Sequence, residues 1–179
     1  MICPFDKELK SDRLLLRRIG RDDINDIFEY TSNENNVFYL AWEAHKDKSN
    51  VTSFIEQSLN EYEFFKNRYS YGIELRESKK LIGVISIFDI KLESKQVEVS
   101  YILNQTFQGK GYASEALQKV IDFVLEDLNF IRVQAKCTED NIASERIMEK
   151  CGLKYEGKLL KYWKIKGAHK NVLLYAKVK

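Results

Sequence analysis

Long apolar runs are missing from this 179-residue chain. No stretch approaches the ~18 consecutive apolar residues that cross a bilayer, so a membrane-spanning helix is not expected. The opening Met1-Ile2-Cys3-Pro4-Phe5-Asp6 has no basic start and no apolar segment of the length a secretory signal needs. Cysteine is scarce. Cys3, Cys137 and Cys151 form an odd, widely spaced set that suits neither a disulfide framework nor a zinc site. A cytoplasmic protein with reduced thiols and no bound metal is the expectation. Histidine is scarcer still: His45 and His169 stand apart from any triad-like partners, and surface or loop positions are expected for both. A net charge of +2 lacks the concentrated basic face of a nucleic-acid binder. The lysine-rich stretch from Lys150 to Lys179 is the local exception. Lysines there would protect a sheet edge from stray pairing, or draw in an anionic ligand.

What is present is ordinary for a soluble globular protein, with 44% hydrophobic and 31% charged residues. The length suits one domain, 1–179, with a substantial core. Leu14, Leu15, Leu16 and Ile19 form a first strand. Asp22 is placed to cap a helix carrying Ile24, Ile27 and Phe28. After the polar break 32–36, Ser49 or Asn50 can cap a second helix with Val51, Phe54, Ile55, Leu59 and Tyr62 at helical spacing. Alternation at Tyr69, Tyr71, Ile73 and Leu75, the β-rich run Leu81 to Ile90, and the strand Gln96 to Leu103 form a meander. Its short polar turns imply antiparallel neighbours. A helix follows with Ala113, Ala116, Leu117, Val120, Ile121, Val124, Leu125 and Leu128 on one face. The strand 131–137 comes next, then a short helix capped by Asn141 and ended by Gly152. Strand patterns 155–161 and 172–178 close the chain. The order β α α β β β α β α β β predicts an α+β (mixed α/β) fold. It has a central mixed, mostly antiparallel sheet covered by helices.

The turn Gln108-Gly109-Lys110-Gly111-Tyr112-Ala113 joins the last meander strand to the amphipathic helix. A helix start leaves main-chain N–H groups without intrahelical partners. Glycines let a ligand approach them, and the helix dipole favours an anion there. A phosphate or pyrophosphate fits such a site. A P-loop does not match, because Lys110 is followed by Gly111 rather than Ser or Thr. A dinucleotide fingerprint would sit directly after a strand, whereas 104–108 intervene here, and the strand belongs to an antiparallel meander. A turn that only redirects the chain is the plain alternative.

Coenzyme A is the fourth option. Gln-x-x-Gly-x-Ala between strand and helix resembles the acetyl-CoA signature of the GNAT N-acetyltransferases. The likeness continues in Ser11-Asp12-Arg13-Leu14-Leu15-Leu16-Arg17, in Val97-Glu98-Val99-Ser100-Tyr101-Ile102-Leu103, in Asn141-Ile142-Ala143-Ser144 with Glu149-Lys150-Cys151-Gly152-Leu153, and in Lys166-Gly167 with Val172-Leu173-Leu174-Tyr175. These are similar to the ribosomal-protein (RimJ/RimL-type) branch and cover nearly the whole chain. Asn171 stands where that branch's closing hairpin often carries Asp.

The resemblance implies a splayed strand pair in mid-sheet, with a break near Leu103-Asn104 that frees main-chain groups for the pantetheine arm. It implies acetyl-CoA contacts from Ile102, Leu103, Gln108, Gly109, Lys110, Gly111, Tyr112, Ala113, Ser114 and Asn141. An N–H near Ile102 or Leu103 would serve the acyl oxygen. Acetyl would pass by direct attack to a primary amine. A protein N-terminal α-amine is expected first; polyamines, aminoglycosides or amino acids are the small-molecule alternative, and a non-catalytic CoA-binding regulator is the other. Nucleic acid and membrane are not expected partners; a homodimer is admitted. Glu98, a carboxylate on a central strand, is the candidate base. Ser144 is the candidate for assisting thiolate departure, with helix capping as its structural alternative. Cys137 could accept acetyl in a two-step route but reads better as a buried thiol, as does Cys151. Trp42 would line the acceptor cleft or pack as core.

Overall fold

Alternating strands and amphipathic helices assemble as the pattern requires in a computed structural model that describes residues 3–64 and 67–179. Met1 and Ile2, which opened the signal-peptide argument, lie outside the described residues. A two-residue strand β1 (Leu9–Lys10) precedes β2 (Leu14–Arg18), and α1 (Ile24–Thr31) and α2 (Ser49–Phe64) follow. The meander is β3 (Arg68–Leu75), β4 (Leu81–Lys91) and β5 (Gln96–Leu103). After α3 (Tyr112–Asp122) come β6 (Arg132–Thr138), α4 (Ile142–Lys150), β7 (Lys154–Ile165) and β8 (Ala168–Val178). One eight-stranded sheet runs β1-β2-β3-β4-β5-β6-β8-β7. All neighbours are antiparallel except β5 and β6, joined by the right-sized crossover through α3.

Strand alternation divides the core between two helical layers. On one face Val97, Val99 and Leu103 of β5 pack with Ala116, Leu117, Val120 and Ile121 of α3 and with Met148 of α4. On the other, Ile27 and Tyr30 of α1 and Val51 and Ile55 of α2 cover Leu81 and Val84. Helix α3 passes into a π-helical turn at Phe123–Asp127, where the Leu128 N–H reaches back to Phe123 O. That turn keeps Phe123, Val124 and Leu125 all buried.

Some local expectations needed revision. Asp22 is exposed and does not cap α1. A 3-10 turn at Arg21–Asp23 comes first, and the buried Asp23 accepts from Gly20 N–H and from Arg17. The Asp47 side chain, rather than Ser49 or Asn50, serves the start of α2 by accepting from Ser49 N–H. Strands β7 and β8 run longer than their sequence patterns because bulges near Gly157 and between Leu159 and Trp163 absorb the non-alternating residues. Strand β7 is a sheet edge, and Lys154, Lys158, Lys161 and Lys164 on it are exposed, as edge protection requires. Asn171 spends both ends of its amide: Nδ2 donates to Glu139 and Oδ1 accepts from Lys161 N–H. A carboxylate at that position would oppose Glu139 and could not donate.

The sheet opens earlier than expected. Strands β5 and β6 pair only from Gln96/Arg132 to Val99/Ala135. Beyond that, β6 stays on β8 through Thr138 while β5 continues with β4 to Leu103. The parting therefore begins after Val99, not at Leu103-Asn104, and leaves a longer free edge on β5.

Candidate active site

The free edge of β5 has a defined direction. Asn104 N–H donates to Ile82 O, so strand alternation turns the main-chain groups of Ile102 toward β4 and those of Tyr101 and Leu103 into the gap. Leu103 O is indeed met from that side by Asn36 Nδ2 at 3.1 Å and Gln108 Nε2 at 3.0 Å. This corrects the pairing of Ile102 with Leu103 as equivalent amide donors: the Ile102 amide belongs to the β4 ladder.

Beside this edge lies a cleft of about 440 Å3 whose lining includes Leu103, Gln108, Gly109, Gly111, Asn141 and Ser144. The glycine turn ends in Gly111, the N-cap of α3, at φ 83°. Gly109 is also left-handed, at φ 75°, and a Cβ on it would meet no protein atom within 4 Å. The first bond of α3 runs from Glu115 N–H to Gly111 O, so the N–H groups of Tyr112, Ala113 and Ser114 have no intrahelical acceptor. All three residues line the cleft. Helix α4 presents its N-terminus to the same space, where Asn141 Oδ1 accepts from Ser144 N–H at 3.1 Å. Two helix starts thus aim partial positive charge into one cleft. Arg146 and Lys150, four residues apart on α4, add full charges; neither has a carboxylate partner among the described residues. These features fit a polyanionic ligand carrying a diphosphate.

The turn is braced from outside. Arg13 donates to Lys110 O at 3.0 Å and to Glu115 at 2.7 Å, and its guanidinium lies 4.3 Å from the Tyr112 ring centroid. Burial pushes the Glu115 carboxyl up, but hydrogen bonds from Arg13 and Ser11 outweigh it and leave the group below its ordinary value. Lys110 itself does not line the cleft; its ammonium lies 5.4 Å from the Phe107 ring, and its carbonyl is its contribution.

A second cleft, of about 420 Å3, opens on the α1/α2 face. Trp42, His45, Phe54, Arg68, Ser100 and Tyr101 are among its lining residues. Leu40, Tyr101 and Ile102 belong to both clefts, so the two meet where β5 leaves β6. The segment between α1 and α2 roofs the junction. Asn36 clasps Leu103 O and Gln105 N–H, and the Tyr39 hydroxyl donates to Asp140 O.

A fold with this splay, this glycine-started helix and paired clefts has close counterparts. Residues 13–154 match the family model described as Acetyltransferase (GNAT) domain. The chain belongs to the GNAT acetyltransferase family. An uncharacterized N-acetyltransferase, YoaA of Bacillus subtilis, is 31% identical over 171 residues, 96% of each chain. The ribosomal-protein-serine acetyltransferase of Escherichia coli is 34% identical over 62% of each chain. The spermidine N(1)-acetyltransferase of Vibrio cholerae is 24% identical over 90% of this chain and 91% of its own. Among solved structures, the microcin C7 self-immunity acetyltransferase MccE, in complex with acetyl-CoA and AMP, superposes with TM-score 0.86 at 27% identity, over 94% of each chain. RimL in complex with coenzyme A superposes with TM-score 0.85 at 20% identity, over 96% of this chain and 98% of that one. This GNAT enzyme is therefore an acetyl-CoA-dependent N-acetyltransferase.

The expected catalytic residues fall in different places. Ser144 Oγ does not cap α4; it lies 2.8 Å from the Tyr101 hydroxyl across the first cleft. Glu98 lines neither cleft. It is 5% exposed, and its Oε2 accepts from Lys136 at 2.6 Å and Gln134 at 2.9 Å. Cys137 also lines neither, and burial pushes its thiol up to about 12, which leaves almost no thiolate for a two-step route. Cys151 is buried and pushed up to about 11. His169 is exposed on β8. Trp42 does line the second cleft.

His45, expected on a surface or loop without a role, lines that cleft too. Its ring stacks on Trp42 with centroids 4.6 Å apart, and its Nδ1 is buried without a hydrogen-bond partner among the described residues. Tyr101, Arg68 and Arg146 are further cleft residues that sequence reasoning gave no role, and Lys150 was read only as part of a lysine-rich stretch. Only Arg146 and Lys150 left a trace in sequence, as two cations at helical spacing just after the Asn141 cap.

Proposed function

We propose that this enzyme acetylates the α-amine of a peptide or protein N-terminus. The observation that carries the reading is the makeup of the second cleft: aliphatic, aromatic and neutral polar side chains, one histidine, one arginine, and no carboxylate among the described residues that line it. A polyamine or aminoglycoside, with several ammonium groups, calls for anionic partners. An α-amine has a pKa of ~7.7–8.0 and loses its proton far more readily than a lysine at ~10.4. The similarity to a ribosomal-protein-serine acetyltransferase supports the same acceptor, and the similarity to a spermidine acetyltransferase is the rival it must beat. Turnover of a panel of N-terminal peptides, spermidine and kanamycin tests the proposal. Turnover confined to spermidine or kanamycin rejects it.

Acetyl-CoA supplies the acetyl group as an activated thioester. The N–H groups at the start of α3, with Arg146 and Lys150, would hold its phosphates. The Tyr101 main chain and the Leu103 N–H would bond the arm, since Leu103 O is already met by Asn36 and Gln108, and an N–H in the gap would serve the charge that grows on the acyl oxygen. His45 takes the amine's proton. Burial holds its imidazole below the ordinary value against a smaller opposing pull from Asp47, so the ring is neutral near pH 7 and able to accept. The Tyr101 and Ser144 hydroxyls face the departing sulfur. Burial raises the Tyr101 phenol, while a thiol titrates near ~8.5. Full proton transfer from Tyr101 is therefore uphill, and its role is hydrogen-bond donation. Tyr101→Phe should lower kcat roughly 10- to 100-fold, the worth of one hydrogen bond to a charged group, with little change in acetyl-CoA affinity. Equal losses in kcat and affinity would make Tyr101 a packing residue instead.

Glu98 we assign to anchoring the last paired turn of β5 and β6 before they part. Glu98→Gln leaves the part-buried Lys136 without its counter-charge and should cost ~3–5 kcal/mol of stability. The pH dependence of kcat/KM should stay as in the parent enzyme. A displaced acid limb in that variant would return Glu98 to the role of base.

A further inference from the structure

Arg68 is out of step with the other arginines of this chain. Arg13, Arg17, Arg18, Arg21 and Arg132 donate to carboxylates, and Arg76 donates to the carbonyls of Ser11 and Asp12. Arg68 and Arg146 have neither kind of partner among the described residues, and each lines a cleft. Arg146 faces the cofactor side. Arg68 is half-buried in the acceptor cleft, at the first residue of β3. Its guanidinium lies over the Phe88 ring, 5.2 Å from the centroid. With no carboxylate or carbonyl partner among the described residues, the fork of N–H groups that can meet a carboxylate with two parallel bonds is unspent. One acid on the same sheet face is Glu98, in register with Phe88. Lys136 has already claimed it.

We infer that Arg68 selects acceptor amines that also carry a carboxylate, set several bonds from the reacting nitrogen. The inference rests on the second cleft being the acceptor site. The spacing follows from the sheet. Arg68 pairs with Phe88, Phe88 pairs with Glu98, and Tyr101 lies three residues farther along β5. Two strand spacings and three residues put the Arg68 and Tyr101 main chains ~14 Å apart. The Arg68 side chain covers part of that span, and what remains is longer than the two bonds between an amine and its own α-carboxylate. It suits the side chain of an acidic residue near the start of a peptide.

The experiment compares peptides that differ only at the second and third residues, carrying Glu, Gln or Lys there, with spermidine as the polycation control. Each is assayed with acetyl-CoA, and peptide binding to the enzyme alone is measured by calorimetry. The Glu peptide should exceed the Gln peptide by about 10-fold or more in kcat/KM and in affinity, and the Lys peptide should be poorest. In Arg68→Gln the Glu and Gln peptides should become equivalent while turnover of the Gln peptide holds. Arg68→Lys, which keeps charge but not the fork, should retain part of the preference. Peptides accepted without regard to charge, or an Arg68→Gln loss shared equally by all peptides, overturns the inference and leaves the α-amine reading standing. Turnover of spermidine alone overturns both.

Discussion

Gly111→Val should abolish acetyl-CoA binding, with at least a 100-fold loss of affinity by calorimetry, in a protein that still folds. Space is not the reason. A Cβ on Gly111 would approach only Arg13 Nη2, at 3.5 Å, an ordinary contact with the end of a flexible side chain. The reason is φ of 83° at the cap of α3, which a β-branched residue reaches only at ~1–3 kcal/mol. The chain escapes that strain by leaving the left-handed region. Doing so rotates the peptide planes whose N–H groups, from Gly111 to Ser114, face the cleft. Stability should fall by no more than the strain itself, since α3 is held by Leu117, Val120 and Ile121 far from the turn. Gly109→Ala tests the same backbone requirement two residues earlier. There φ is 75° but no protein atom lies within 4 Å of the added methyl, which points into open space. Binding should weaken, and stability should fall by the ~1–2 kcal/mol that a left-handed alanine costs, with no clash added to it. Undiminished binding in Gly111→Val would mean that the diphosphate is held elsewhere, with Arg146 and Lys150 the next residues to test.

How far this could be read from sequence follows the range of the forces involved. The β5 boundaries, the Asn141 cap, the Gly152 stop and the glycine turn came through because each is fixed by residues a few positions apart. The start of the splay did not. It depends on β6 choosing β8 over β5 beyond Ala135, a contest between strands distant in sequence. The same distance hid most of the second cleft, of which only Trp42 was expected. Glu98 looked like a base because a carboxylate on a central strand needs a reason to be buried, and the reason, Lys136, sits on a neighbouring strand at i+2 from its register partner Gln134. Ser144 was placed correctly at the start of α4, yet its partner Tyr101 comes from β5, across the cleft. His45 lies in a loop with no periodicity, so nothing local marked it. Only the folded chain brings it, with Trp42, over the face that carries Ser100 and Arg68.

His45 carries the other large expected effect. In the parent enzyme, kcat/KM for an α-amine peptide should fall on the acid side with a midpoint below ~6.5, because burial lowers the imidazole and its protonated form cannot accept a proton. The charge that opposes that shift is Asp47 on the same loop; Arg68, across the cleft on β3, is a cation and would add to the lowering. Folding shares the direction: a histidine with a lowered folded pKa favours the native state above its unfolded value, and that contribution is lost as pH falls through the folded one. His45→Gln removes the proton acceptor, and only amine that is already neutral can then react. Activity at pH 7 should drop by roughly 10²- to 10⁴-fold, the range for loss of a general base. The acid limb should move up to the amine's own ~7.7–8.0, so that the deficit narrows as pH rises past 8. His45→Phe keeps a flat ring for Trp42 to stack on and should show the same profile, which separates proton transfer from packing. An acid limb that stays in place in both variants would show that the proton leaves the amine by another path.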